Sequence, residues 1–143
     1  MEFLHVDNIT SQPVDALRVN WYLRPRDIPR KINDYRMVYA TMQTQTCPIS
    51  SLRGKCRVLH KNDINDLDGY KKDPDSFWYD KMFDRYIHRY YEVVPTNQVI
   101  NVPANVKKVL DERWKFVVVE VGRGKELTSA IKSCKRCQRY CAR

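Results

Sequence analysis

Three cysteines crowd the last stretch of the chain, "SCKRCQRYCAR". Cys134 and Cys137 are separated by two residues, and Cys141 follows. Two thiolates at that spacing can reach one zinc ion, which takes four ligands in a tetrahedron. The run offers three at most, so a metal there needs ligands from elsewhere. A histidine such as His88 could complete a three-cysteine site, although local spacing alone is a weak guide.

A second group that could carry chemistry is "DRYIHRYYE". It interleaves Arg85, His88 and Arg89 with Tyr86, Tyr90 and Tyr91. Arginines contact phosphates and aromatic rings stack on bases, so the mixture suits nucleic acid. Asp84 and Glu92 dilute the positive field, and a solvated face explains the charges as well. The tyrosines read first as core or rim residues, with a dry face and a wet tip that also suit peptide contacts. Reaction chemistry has little support. The chain lacks a Gly-x-Ser-x-Gly elbow, a phosphate-cradling glycine loop and a His-Glu-x-x-His pair. The carboxylates from Asp63 to Asp75 lack the spacing of a calcium loop. His5, His60 and His88 lie far apart in sequence. The reading is therefore a non-enzyme without a small-molecule substrate.

Composition fits one ordinary globular domain. The 143 residues are 43% hydrophobic and 30% charged. No apolar run approaches the roughly 20 residues of a membrane helix, and "MEFLHVDNIT" lacks the pattern of a signal peptide. The five cysteines, an odd number, argue against a disulfide framework; Cys56 then reads as a small core residue. The net charge of +9 is uneven: from Arg123 onward there are seven Lys/Arg against one Glu. A basic tail favours polyanions or acidic protein surfaces, or is simply solvated.

The elements that must position these groups are mostly strands. "ALRVNWYLRP" alternates, with Leu17, Val19, Trp21 and Leu23 on one face and Tyr22 on the other, and Pro25 ends it. Such a stripe places Trp21 in the core first. "RMVYATM" and "KCRVLH" read as short strands, with the turn-rich "QTQTCPISSLRG" between them. "HKNDINDLDGYKKDPDS" is an exposed loop. In "SFWYDKMFDRYIHRYYEVV" apolar residues at 79, 82, 83, 86 and 90 fit a helix, while the aromatic content fits strands. "VPANVKKVLDER" is a helix with Pro103 in its first turn, "RWKFVVVEV" a buried strand, "GRGKEL" a flexible break, and "LTSAIKSCKRC" a possible short helix. Together these predict a mainly β domain, closed or half-closed.

Three stretches in this order, "VNWYLRP", "SSLRGKC" and "FWYDKMFDRYIHRYYEVVP", resemble a bromo-adjacent homology (BAH) domain. The likeness is greatest to fungal chromatin proteins in which that domain runs into a PHD zinc finger, and "RWKFVVVEVGRGKELTSAIKSCKRC" is similar to that junction. The resemblance implies a distorted antiparallel β-barrel with short peripheral helices over residues 1–122. Residues 123–143 would be a basic linker and the start of a truncated finger. It implies strands for "FWYDKMFD". It implies that Cys134 and Cys137 are the finger's first zinc ligands, with zinc bound only if ligands beyond Arg143 complete the site; no cofactor is expected for this chain alone. Cys141 does not fit that spacing. The chain thus reads as a fragment that also lacks the first strand or strands of its barrel.

The resemblance further implies a nuclear, non-catalytic chromatin-binding module. Its partners would be histone tails, nucleosomes or subunits of a chromatin-modifying complex, possibly DNA, and no membrane. Some members cage methylated lysine between aromatic walls by cation–π attraction. Trp21 occupies the place of one wall, but Leu23 stands where another aromatic is needed. The residues singled out for histone or partner contact are Trp21, Tyr22, Tyr86 and Tyr90, and for nucleic acid Arg85 and Arg89. A scaffold that reads no mark, and direct nucleic-acid binding through the tail, are the alternatives.

Overall fold

The computed structural model describes residues 16–29, 32–129, 131–133 and 140–142. The first strand among the described residues is β1 (Ala16–Leu23), which buried Pro25 ends by opening a single 3-10 turn over Pro25–Asp27. Strand β2 (Tyr39–Pro48) lies antiparallel to it, from Ala16↔Pro48 to Leu23↔Tyr39. The polar stretch "QTQTC", expected as turns, is therefore the second half of a long strand. Its threonines alternate well on a half-exposed pleat.

Strand β3 (Arg57–His60) pairs in parallel with β4 (Ser76–Tyr79). The loop between them carries one helical turn, α1 (Leu67–Tyr70), which the Asp66 side chain caps. After Asp80 the chain continues as β5 (Lys81–Asp84), turns, and returns as β6 (Arg89–Pro95). Strands thus replace the helix that the apolar spacing allowed. Ser76 and Trp78 are buried while Phe77 and Tyr79 are half-buried, a period of two. Tyr86, a member of the supposed helical face, lies out in solvent.

Helix α2 (Ala104–Arg113) follows Pro103 as expected. It sits at the margin, with Val106 and Val109 exposed. Lys107 Nζ fastens it by donating to the Thr96 carbonyl at 2.7 Å. Strand β7 (Phe116–Glu120) is an edge strand against β6, and Val118 is exposed rather than buried on both faces. The expected break "GRGKEL" instead turns into a short helix, α3 (Gly124–Thr128). The Glu92 carboxylate on β6 accepts from the backbone N–H of Gly122 at 3.1 Å and of Gly124 at 2.8 Å. Gly122 has φ +92°, which favours glycine, and a Cβ at Gly124 would displace the Glu92 carboxylate from its bonds. The carbonyl of Leu127 and the side chain of Asn101 then tie this helix to the body. Of the stretch "LTSAIKSCKRC", expected to hold a short helix, the described residues Ile131–Ser133 form a strand, β8, paired with β9 (Tyr140–Ala142).

The main sheet has the order β1-β2-β5-β6-β7. The β3–β4 ribbon hooks onto it where Trp78 exchanges backbone hydrogen bonds of 2.9 Å with Arg36 and Val38. Buried His60 pins the curl from within. Its Nδ1 accepts from Asn62 N–H, so Nε2 carries the proton and donates to the Val93 carbonyl at 2.8 Å. The fold is mainly β with short marginal helices, as expected. Among the described residues the sheet stays open, and its β2–β5 contact is parallel. Ile28, Met37, Tyr39, Trp78 and Phe83 form the core, with Leu23, Ile64, Leu67 and Tyr90 packed round it. No helix among the described residues is long and apolar enough to cross a membrane.

Candidate functional site

Strand β1 holds Trp21 and Tyr22 on opposite faces, and an irregularity in β2 exposes the first of them. Asn20 pairs with Thr44 and Tyr22 with Ala40, so Trp21 faces three residues, Thr41 to Gln43. The extra residues break the ladder there. Thr41 repairs it by donating its hydroxyl to the Trp21 carbonyl at 2.8 Å and accepting from Gln43 N–H at 3.1 Å. The Trp21 indole, expected in the core, is 41% exposed, and its Nε1–H donates to Gln45 Oε1 at 3.1 Å. Met42, at the crest of the irregularity, is 77% exposed.

The pairing Ala40↔Met82 carries this level across to β5, so residues 41–43 lie next to the end of β5 and its turn. There Asp84 Oδ1 accepts from Tyr86 N–H at 2.8 Å and from Ile87 N–H at 3.3 Å. These bonds hold a tight turn in which His88 adopts φ 52°. A left-handed residue other than glycine is uncommon and fixes the course of the chain. The turn therefore presents Arg85, Tyr86 and Ile87 in one defined shape. Thr41 to Gln43 and Phe83 to Tyr86 line a cleft of about 280 Å³. Met42, Arg85 and Tyr86 thus share one cleft, with exposed Ile87 in the same turn and exposed Trp21 opposite residues 41–43 on β1, and these five exposed residues are termed the band.

The remaining expected site residues separate from this band. Tyr22 turns to the other side and meets Tyr79 at 5.6 Å between ring centroids. Tyr79 in turn contacts His60 and Phe116. Burial raises the Tyr22 hydroxyl pKa, and burial, then Tyr22 and Asp63, push that of Tyr79 up to about 12. Both phenols stay protonated at neutral pH. Tyr90 is a core residue, 4.9 Å from the Phe83 ring and 5.7 Å from that of Tyr39. Arg89 begins β6 beyond the turn and is exposed. Leu23 packs against the core, so the wall that a methyl-lysine cage would need beside Trp21 is not built by it. Cys56, expected inside, is exposed.

Cys134 and Cys137 lie outside the described residues. Among the described residues no three His, Cys, Asp or Glu side chains converge as a metal site would require. Sequence reasoning missed Met42 and Ile87. An apolar residue amid "TMQTQT" and another inside a turn held by an Asp are the signals that were there.

An open curled sheet, β1 running into Trp-Tyr-Leu-Arg-Pro and the successive strands β4 and β5 define the class: the chain belongs to the BAH domain family, whose model matches residues 2–95. The band falls within that match; α2, β7 and α3 lie beyond it. Two curated relatives are similar over most of the chain. One is the Lid2 complex component snt2 of Schizosaccharomyces pombe, 38% identical over 134 residues. The other is the E3 ubiquitin-protein ligase SNT2 of Saccharomyces cerevisiae, 39% identical over 114 residues. The alignments cover 94% and 73% of this chain, but only 12% and 8% of those proteins.

Proposed function

We propose that the chain is a non-catalytic, nuclear chromatin-binding module that holds histone tails or nucleosome-associated proteins on the band formed by Trp21, Met42, Arg85, Tyr86 and Ile87. The observation that carries this reading is the band itself. Large apolar and aromatic side chains stand in solvent on a backbone that an Asp-held turn and a Thr-repaired irregularity make rigid. Aromatic and arginine residues on a rigid support are what protein interfaces use as anchors. Membership of the BAH family and the fission-yeast relative's place as a Lid2 complex component support it.

The carboxylates near the band have structural duties, Asp84 in the turn and Glu92 at α3, which supports a binding rather than a catalytic role. The ligase activity in the name of the budding-yeast relative belongs to a protein of which this chain matches 8%. Cys134 and Cys137 are proposed as the first ligands of a PHD-type zinc site that needs further ligands to bind metal.

Titration of the full chain with histone peptides and with reconstituted nucleosomes tests the proposal. Binding that Trp21→Ala with Tyr86→Ala weakens at least tenfold is the expected result. Absence of binding to both, alongside capture of a subunit of a chromatin-modifying complex, would replace it with the second reading, a scaffold that reads no mark. Leu23, packed into the core where a cage wall would stand, favours that alternative. Binding of naked DNA that falls steeply with salt and depends on Arg85, Arg89 and the basic tail would favour nucleic acid instead.

A further inference from the structure

Along β1 the chain builds a second surface that shares only Trp21 with the band. A groove of about 830 Å³ runs between β1 and the segment from Leu52 to Val58. Its walls include Val19, Tyr22, Leu52 and Val58, with Arg53 and Lys55 also lining it. Val19, Asn20 and Leu52 also line an adjoining cleft of about 230 Å³ that reaches Leu17, Trp21 and Pro48. The two together follow β1 from Leu17 to Tyr22, about 17 Å at the rise of an extended strand. That length accommodates five or six residues of an extended peptide.

The charged residues that line the two clefts, Arg53 and Lys55, are both cations. Residues 16–24 and 39–58 contain Arg18, Arg24, Arg53, Lys55 and Arg57 and not one Asp or Glu. Among the described residues none of the five cations forms an ion pair. The basic wall is also loosely tethered. Its ends are held by Leu52 N–H on the Ile49 carbonyl and by Arg57 N–H on the Asp75 carbonyl. Gly54, between them, has nothing within 4 Å of its Cβ position. Such a segment can adjust onto a ligand without disturbing the sheet.

We infer that this groove is a docking site for a short extended peptide in which apolar side chains alternate with Asp or Glu. The apolar side chains enter between Val19, Leu52 and Val58, and the carboxylates meet Arg53, Lys55 and the neighbouring arginines. Alternation follows from the strand geometry, since successive side chains point to opposite sides. Nucleic acid fits less well. Base stacking needs free aromatic faces; the two clefts offer only Tyr22, whose ring already meets Tyr79, and Trp21, whose indole is tied to Gln45.

The test is fluorescence polarisation of the full chain with a labelled twelve-residue peptide of alternating Asp and Leu, beside the same peptide with Lys for Asp. The acidic peptide is expected to bind and the basic one not to. Arg53→Glu with Lys55→Glu, two exposed side chains without ion-pair partners, should weaken binding at least tenfold at unchanged melting temperature. Val58→Asp should do the same through the apolar wall. Met42→Ala with Tyr86→Ala, neither residue lining the groove or its adjoining cleft, should leave this affinity within twofold, which separates failure of this site from failure of the band. No binding up to millimolar peptide would overturn the inference. So would equal binding of both peptides, displacement by duplex DNA at lower concentration than by the unlabelled peptide, or a signal that tracks self-association of the chain.

Discussion

Phe83 and Tyr86 stand three residues apart in one hairpin and have opposite fates. Phe83 is 3% exposed, packed against Tyr90 across the strand pair, and Tyr86 is 85% exposed. The same contrast recurs between Trp78, buried under Lys61 and Lys71, and Trp21, open on β1. Residue type does not decide between the two populations. Backbone does: a regular pleat turns Trp78 and Phe83 inward, while the irregularity at residues 41–43 and the Asp84-held turn bring Trp21 and Tyr86 out. Buried aromatics here hold the fold, and exposed ones are left free to hold a partner.

The largest effect that would break this contrast concerns the buried group. Phe83→Ala should cost about 3–5 kcal/mol, as loss of a core aromatic does. Urea unfolding reads it, and a loss under 1 kcal/mol would place Phe83 outside the core. A smaller effect is expected at Asp34, which lies under the same cluster. Its carboxylate meets Lys71 Nζ at 2.6 Å and accepts from Arg36 and Met37 N–H. Lys71 in turn lies 5.3 Å from the Trp78 ring centre.

Burial alone would raise the Asp34 pKa. The Lys71 and backbone hydrogen bonds outweigh it and hold the carboxyl below its usual range. A carboxyl lowered on folding stabilises above its unfolded pKa, and that contribution is lost as pH falls through the folded value. Asp34→Asn should therefore cost about 1–2 kcal/mol at neutral pH. It should also flatten the acid limb of the stability curve below about pH 4, which thermal melts across pH would show. An unchanged acid limb would remove Asp34 from the account. The smallest effect belongs to the exposed group. Tyr86→Ala should change stability by less than about 0.5 kcal/mol while weakening partner binding. A larger loss of stability would mean that the turn aromatic is structural after all.

Much of the scaffold was legible in the sequence because its signals are local. The alternation before Pro25 and the Pro103 start announced β1 and α2. The BAH likeness supplied the strand pair "FWYDKMFD", which apolar spacing alone had left open. What stayed hidden depends on distant partners. "GRGKEL" is a helix because Glu92, some thirty residues earlier, caps its glycines. The polar half of β2 is a strand because β1 lies beside it. Trp21 is exposed because three residues of β2 face one of β1, an event without a signature in the alternation of β1 itself. Of the expected contact residues, Trp21, Tyr86 and Arg85 gather in one band, whereas Tyr22 and Tyr90 were assigned on type and their positions in the pleat take them elsewhere.

Amide hydrogen exchange of the full chain, free and saturated with nucleosomes, tests the division of labour most directly. The account predicts new protection at residues 41–43 and 84–88, with the amides of β4 and β6 unchanged. Protection spread over the core strands, or none at the turn while nucleosomes are bound, would contradict it.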